Sequence, residues 1–138
     1  MSWKDRVDEW GGGEVSFFSE DGEAMVFVIA ADPVLLEGKF KGKPSERVGC
    51  PIVTVEGFTL LIIGKRLFRR LARYEKDFAT KAFMVVRHGE HGDIDTTFGL
   101  NIVDDTELTE RLFDIKKKEF KPALVKEAVS AAQDIVKG

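Results

Sequence analysis

Between Ile63 and Phe78 the spacing of the apolar residues changes, and that change constrains the fold more than any other feature of the chain. Upstream, FTLLII at 58–63 is an apolar run of strand length. Downstream, Leu67, Phe68, Leu71, Ala72 and Phe78 follow the i, i+4, i+7 spacing of an amphipathic helix. A single helix set inside an otherwise strand-patterned stretch admits few topologies.

The strand signals on either side are explicit. Before the helix, VLLEGKF (34–40) alternates, placing Leu36 and Phe40 on one face and Leu35, Glu37, Lys39 and Lys41 on the other. Gly42-Lys43-Pro44 makes a loop, and Arg47 to Val55 reads as a strand interrupted by Cys50-Pro51, where the proline marks a bulge or an edge. Glu56-Gly57 turns into FTLLII. After the helix, Lys81 to Arg87 and Thr96 to Val103 are strands separated by a glycine-punctuated turn from Gly89 to Asp93. Further upstream, EVSFF and AMVFVIAA flank the turn Glu20 to Glu23 and read as a hairpin or bent strand pair. Beyond Asp104 the pattern is helical: Thr106 is a candidate cap for one helix, and Pro122 opens a second that carries Leu124, Ala128, Ala131, Ile135 and Val136.

Counted from Val34, three strands, a helix and two strands give the order of the OB-fold, a partly open five-stranded Greek-key barrel that binds oligonucleotides on the face of its second and third strands. Other small barrels share the strand count; the position of the helix favours this one. The expected architecture is therefore mainly β with appended α: a five-stranded OB-fold barrel with a helix between strands 3 and 4, an N-terminal hairpin and C-terminal helices. Residues 1–13 form an arm, 14–104 the barrel domain and 105–138 a C-terminal helical extension.

Charge is distributed unevenly. The formal net charge is -3, yet residues 39–88 carry twelve Lys and Arg against four Asp and Glu, a net +8, while the rest of the chain carries nine against twenty, a net -11. A basic middle with acidic flanks suits an anion-binding face on a soluble protein. For single-stranded nucleic acid, physics asks for a basic groove along the phosphates and aromatic rings on which bases stack. The candidate phosphate contacts are Lys39, Lys41, Lys43, Arg47 and Arg87, and the candidate stacking rings are Phe40 and Phe98. Lys65, Arg66, Arg69, Arg70 and Arg73 form a column on the central helix. They rank second, because in OB barrels that helix plugs the barrel bottom, away from the usual groove.

Other chemistry finds little support in the sequence. His88, His91, Asp93 and Asp95 lie in a glycine-rich turn without the helix that paired histidine ligands use, and Cys50 has no CxxC partner, so neither metal nor cofactor is expected. No P-loop, GxSxG elbow or Ser/His/Asp set stands out, which argues against an enzyme. The longest apolar stretch, the eight residues from Ala24 to Ala31, is far too short to cross a bilayer, and the polar N-terminus lacks a signal-peptide core. A cytoplasmic chain with no membrane partner is expected, and its single cysteine fits that compartment.

Four segments, FFSEDGEAMVFVIAADP, FKGKPSERV, GKRLFRRLARYE and AFMVVRHGEHGDIDTTFGL, together resemble the single-stranded DNA-binding proteins of tailed bacteriophages. The most specific part is the late hairpin pattern at Phe83, Val85, Arg87, Gly89, Asp95, Thr96 and Phe98, and the resemblance spans about residues 14 to 115. It implies an OB-fold protein of the host cytoplasm that coats single-stranded DNA in phage replication, recombination and repair, without sequence preference or catalysis, beside replication or recombination proteins. Two features depart from the family. The chain ends in VKEAVSAAQDIVKG rather than an acidic tail, so tail-mediated recruitment is not implied, and the Cys/His cluster of zinc-carrying relatives is missing. Two rival readings stand beside it: an interaction or homo-oligomerisation module using the C-terminal stripe of Leu124, Ala128 and Ile135, and an RNA-binding OB-fold protein.

Overall fold

The computed structural model describes residues 15–18, 21–40, 43–89 and 96–137, with backbone alone at 38–40, 43–45 and 134–137. Its elements in chain order are strands β1 (Val15–Ser16), β2 (Ala24–Ile29), β3 (Val34–Phe40), β4 (Lys43–Thr54) and β5 (Gly57–Ile63), helix α1 (Lys65–Ala72), a 3-10 turn (Glu75–Asp77), strands β6 (Ala82–His88) and β7 (Thr97–Val103), and helices α2 (Thr106–Glu119) and α3 (Pro122–Lys137). The expected run of three strands, helix, two strands is present from β3 to β7. The described residues form seven strands rather than five, in one sheet ordered β1-β5-β4-β2-β6-β7 with β3 also on β4.

Strand β4 organises this sheet because it is long enough to serve three neighbours. Lys43 to Gly49 pair with β3, Val48 to Thr54 pair with β5, and Ile52 and Val53 pair with the end of β2. The other half of β2, Ala24 to Phe27, pairs with β6, so β2 joins the two parts of the sheet. Among the described residues no pairing joins β7 back to β5, and the sheet stays open.

Two local readings are corrected. EVSFF does not form a hairpin with AMVFVIAA: β1 runs parallel to β5, Val15 opposite Leu60. The Asp21-Gly22 turn is bonded elsewhere, since Gly22 sits at φ +81 and its N–H donates to the Arg87 carbonyl on β6 at 2.8 Å. Nor does Pro51 bulge β4, whose pairing with β5 continues one-to-one through Pro51 and Leu60. The break lies in the neighbouring strand, where five steps from Ile29 to Val34 stand against three on β4. The Pro51 carbonyl accepts from Ala30 N–H at 2.9 Å. Since N–H and C=O of one strand residue point the same way, the donor that proline lacks would have faced the bend between β2 and β3.

The sheet is covered on both faces. Phe27, Ile52, Leu61, Phe83 and Val85 meet Leu67 and Leu71 of α1 in an inner cluster. On the opposite face Ala128 and Ala132 of α3 sit on Leu36, Leu60 and Ile62, while Leu112 of α2 sits on Val28, Val53 and Ala82. This explains why LLII shows no alternation: both sides of β5 are dry. Asp105 rather than Thr106 caps α2, its Oδ1 accepting from Leu108 N–H at 3.0 Å, whereas Pro122 begins α3 as its missing N–H allows. In the C-terminal stripe proposed as an oligomerisation surface, Ala128 is wholly covered by the protein's own sheet and Leu124 is half-buried. The side chain of Ile135 lies outside the described residues. No helix among the described residues is long and apolar enough to cross a membrane.

If α2 is a structural part of the domain, Leu112→Ala should lower stability by about 2–5 kcal/mol, whereas Leu35→Ala, at a 49%-exposed position, should stay within about 0.5 kcal/mol. Urea unfolding of the two variants checks this. Equal midpoints would mean that α2 does not pack as described.

Candidate nucleic-acid interface

Helix α1 begins where β5 ends, at extended Gly64, whose carbonyl accepts from Phe68 N–H at 3.1 Å. Leu67 and Leu71 point into the inner cluster and fix its rotation. At about 100° per residue, Arg66, Arg70 and Arg73 then fall on one flank and Phe68 and Ala72 on the other, with Arg69 on the outermost side. The Arg70 guanidinium confirms which flank faces β7, because Nη1 donates to the Phe98 carbonyl at 2.6 Å. Arg66, Arg69 and Arg73 are exposed, and none forms an ion pair among the described residues. Lys65 instead binds Glu46 Oε1 at 2.7 Å, both side chains being more than two-fifths exposed. That solvated pair adds little stability, but it ties the start of α1 to β4 next to Arg47.

Arg87, expected as a leading phosphate contact, occupies a different position. It is only 9% exposed; Nε donates to the Gly89 carbonyl at 2.8 Å, Nη1 to the Phe18 carbonyl at 3.4 Å and Nη2 to Thr96 Oγ1 at 3.3 Å. Its backbone N–H donates to the Glu23 carbonyl at 2.9 Å, and its guanidinium carbon lies 6.0 Å from the Phe98 ring centre. Gly89, at φ +126, has room for no side chain, since a Cβ there would come within 2.9 Å of Thr96 Oγ1; its N–H donates to Asp21 Oδ1 at 3.0 Å. Arg87 thus locks the base of the β6–β7 hairpin onto the chain leading into β2. It is a positioning residue.

The other expected contacts divide by location. Arg47 is half-buried opposite Leu36, with Nη1 on the Glu46 carbonyl at 3.2 Å. Lys39, Phe40 and Lys43 are paired backbone at the end of the β3–β4 hairpin, and Lys41 lies outside the described residues. Phe98 is half-buried, edge-to-face with Phe18 at 5.6 Å between ring centres. The sequence reading missed Phe17, the ring next to it, which is 42% exposed. No local pattern marks it: Phe17 follows β1 outside the strand, and alternation from buried Val15 would have turned it inward. The structure therefore places Arg66, Arg69, Arg70 and Arg73 along α1 and its C-terminal end, with Arg70 on the Phe98 carbonyl of β7, and links this group to the Arg47 end of β4 through Lys65 and Glu46.

No group of His, Cys, Asp and Glu able to hold a metal occurs among the described residues, and His91, Asp93 and Asp95 lie outside them. Cys50 is buried, and desolvation pushes its thiol from 9.0 up to about 12. Comparison of the chain with protein-family models, with curated proteins and with solved structures finds no match.

Two outcomes follow from these placements. Arg87→Ala should cost about 1–3 kcal/mol or more in thermal unfolding, because the carbonyls of Phe18 and Gly89 lose their buried donor; an unchanged melting temperature would contradict the positioning role. The folded Cys50 thiol stays neutral where an unfolded one ionises, so its contribution to stability is complete below pH 9.0 and is lost as pH rises toward about 12. A Cys50→Ala variant should lack that component of alkaline destabilisation in unfolding followed against pH, and native Cys50, its thiol held neutral, should react with thiol reagents more slowly than a free cysteine.

Proposed function

We propose that this protein binds single-stranded DNA without sequence preference, by phosphate neutralisation and base stacking, and has no catalytic role. The observation that carries the reading is the trio Arg66, Arg69 and Arg73 on α1 and its C-cap, exposed and without an ion pair among the described residues, on a helix that Arg70 joins to β7 at the Phe98 carbonyl. Closely spaced cations attract a polyanion along its length, and stacking on rings contributes about 1–3 kcal/mol per base.

The strand pairings support an OB-type frame. With β2 and β3 taken as one bent strand, the first strand pairs with both the second (β4) and the fourth (β6), the second with the third (β5), and the fourth with the fifth (β7), with the helix after the third. Closure between β5 and β7 is missing among the described residues. The usual ligand face of such a frame is that of its second and third strands, and here α3 covers Leu60 and Ile62 while α2 covers Val53. The DNA path is therefore assigned to the α1 side, and the arginine column moves from second rank to first. A role in coating single strands during phage replication and recombination, as in the family that the sequence resembles, belongs to the same proposal.

Fluorescence anisotropy with an oligo-dT of about 30 nucleotides against the matching duplex, over a range of salt, tests the reading. Single-strand preference with steep salt dependence is expected. Arg66→Ala, Arg69→Ala and Arg73→Ala should each weaken binding and flatten the log–log salt slope by about 0.7. Unchanged slopes in all three would remove the column from the interface, and absence of binding at low salt would overturn the function.

A further inference from the structure

On the flank of α1 opposite the arginines lies an apolar cleft of about 480 Å³, within the range of about 300–1,000 Å³ that small ligands occupy. It follows from the bend between β2 and β3: the chain leaves β4 at Ala30 and rejoins it at Val34, opening space against α1. Phe68 and Phe78 line one side, Ile29 and Pro33 the other, and Cys50 the floor. Its remaining polar side chains are Asp32, Glu75 and Lys116, the two acids being exposed and the lysine half-buried.

We propose that this cleft receives one unstacked nucleobase of the bound strand, the sugar-phosphate remaining outside on the α1 arginines. This rests on the single-stranded DNA reading above and names a subsite within it. Three observations support it. The walls are apolar and include two aromatic rings, which suits a flat heterocycle and its π-face. The cleft residues Phe68 and Ala72 are followed directly by Arg69 and Arg73, about 100° further around the helix, so the proposal has the strand cross the outer side of α1, phosphate on a long arginine side chain and base turned toward the cleft. The mouth carries two carboxylates, which repel phosphate and accept hydrogen bonds, so the base edge enters rather than the backbone.

The same carboxylates give the cleft a preference. Cytosine and adenine present an exocyclic amino donor where thymine presents the O4 acceptor, and an acid facing O4 is an unfavourable match. Lys116, as a donor only, complements the ring acceptors on another side of the base. The coat should bind all sequences through phosphate, but disfavour thymine at this one subsite.

The test is anisotropy with oligo-dC, oligo-dT and an abasic phosphodiester strand, each of about 30 units, on the unmodified protein, on Ala72→Trp and on Asp32→Asn. Ala72 and Asp32 are both exposed, so neither change enters the core; the first fills the cleft, and the second keeps its volume while altering the base edge. The expected result is that dC binds at least about threefold more tightly than dT, with the abasic strand weakest. Both variants should reduce the dC preference while leaving the salt slope, which counts phosphates, unchanged. Equal binding of dC and dT to the unmodified protein, or a dC preference that survives Ala72→Trp, overturns the cleft assignment and leaves the arginine interface standing. Absence of salt-dependent binding to every strand overturns both.

Discussion

The two-sided burial of β5 is the constraint on which the rest of the structure depends. Leu61 and Ile63 face the inner cluster while Leu60 and Ile62 face outward, and all four are nearly inaccessible to solvent. A strand with no wet face needs a covering layer on each side. Helix α1 closes the inner cluster, and α2 and α3 close the outer one, with Ala128 and Ala132 small enough to let α3 approach the sheet closely. The C-terminal helices are thus part of the domain's packing.

That arrangement also leaves the outer side of α1 open to solvent. With the outer face of β4 and β5 covered, α1 sits at the edge of the inner cluster with Leu67 and Leu71 inward and Arg66 and Arg69 exposed to solvent. The two flanks of this one helix differ in chemistry because two leucines four residues apart fix its rotation. One flank meets the β6–β7 hairpin through Arg70 and the Phe98 carbonyl; the other meets the bend between β2 and β3. Charge and apolar surface are brought within a residue of each other although the net charge of the chain is -3.

Much of the fold was legible because its signals are local. The period switch at Gly64, the alternation in VLLEGKF and the order of strands about the helix correspond to elements within a few residues of those expected. The candidate site was legible in part: the basic column on α1 was visible as spacing, and Phe98 as a ring near a turn. Arg87 was misjudged because a sequence shows its charge but not the carbonyls of Phe18 and Gly89 that converge on it, one of them 69 residues away. The EVSFF hairpin failed for a similar reason: Asp-Gly signals a turn, but Gly22 bonds to β6 and β1 finds its partner in β5.

The sequence by itself determined most of the helix and strand positions, that a basic stretch lies in its middle, and that FTLLII is an apolar strand. Those properties follow from periodicity and composition along neighbouring residues. Only the tertiary structure decided which cations stay in water and which are held by carbonyls. It also decided that the sheet's outer face is occupied by the chain's own helices, and that the proline in β4 faces a bend in another strand. Each of these depends on groups far apart in the chain, whose meeting is set by packing, and packing energy belongs to pairs that no local pattern names.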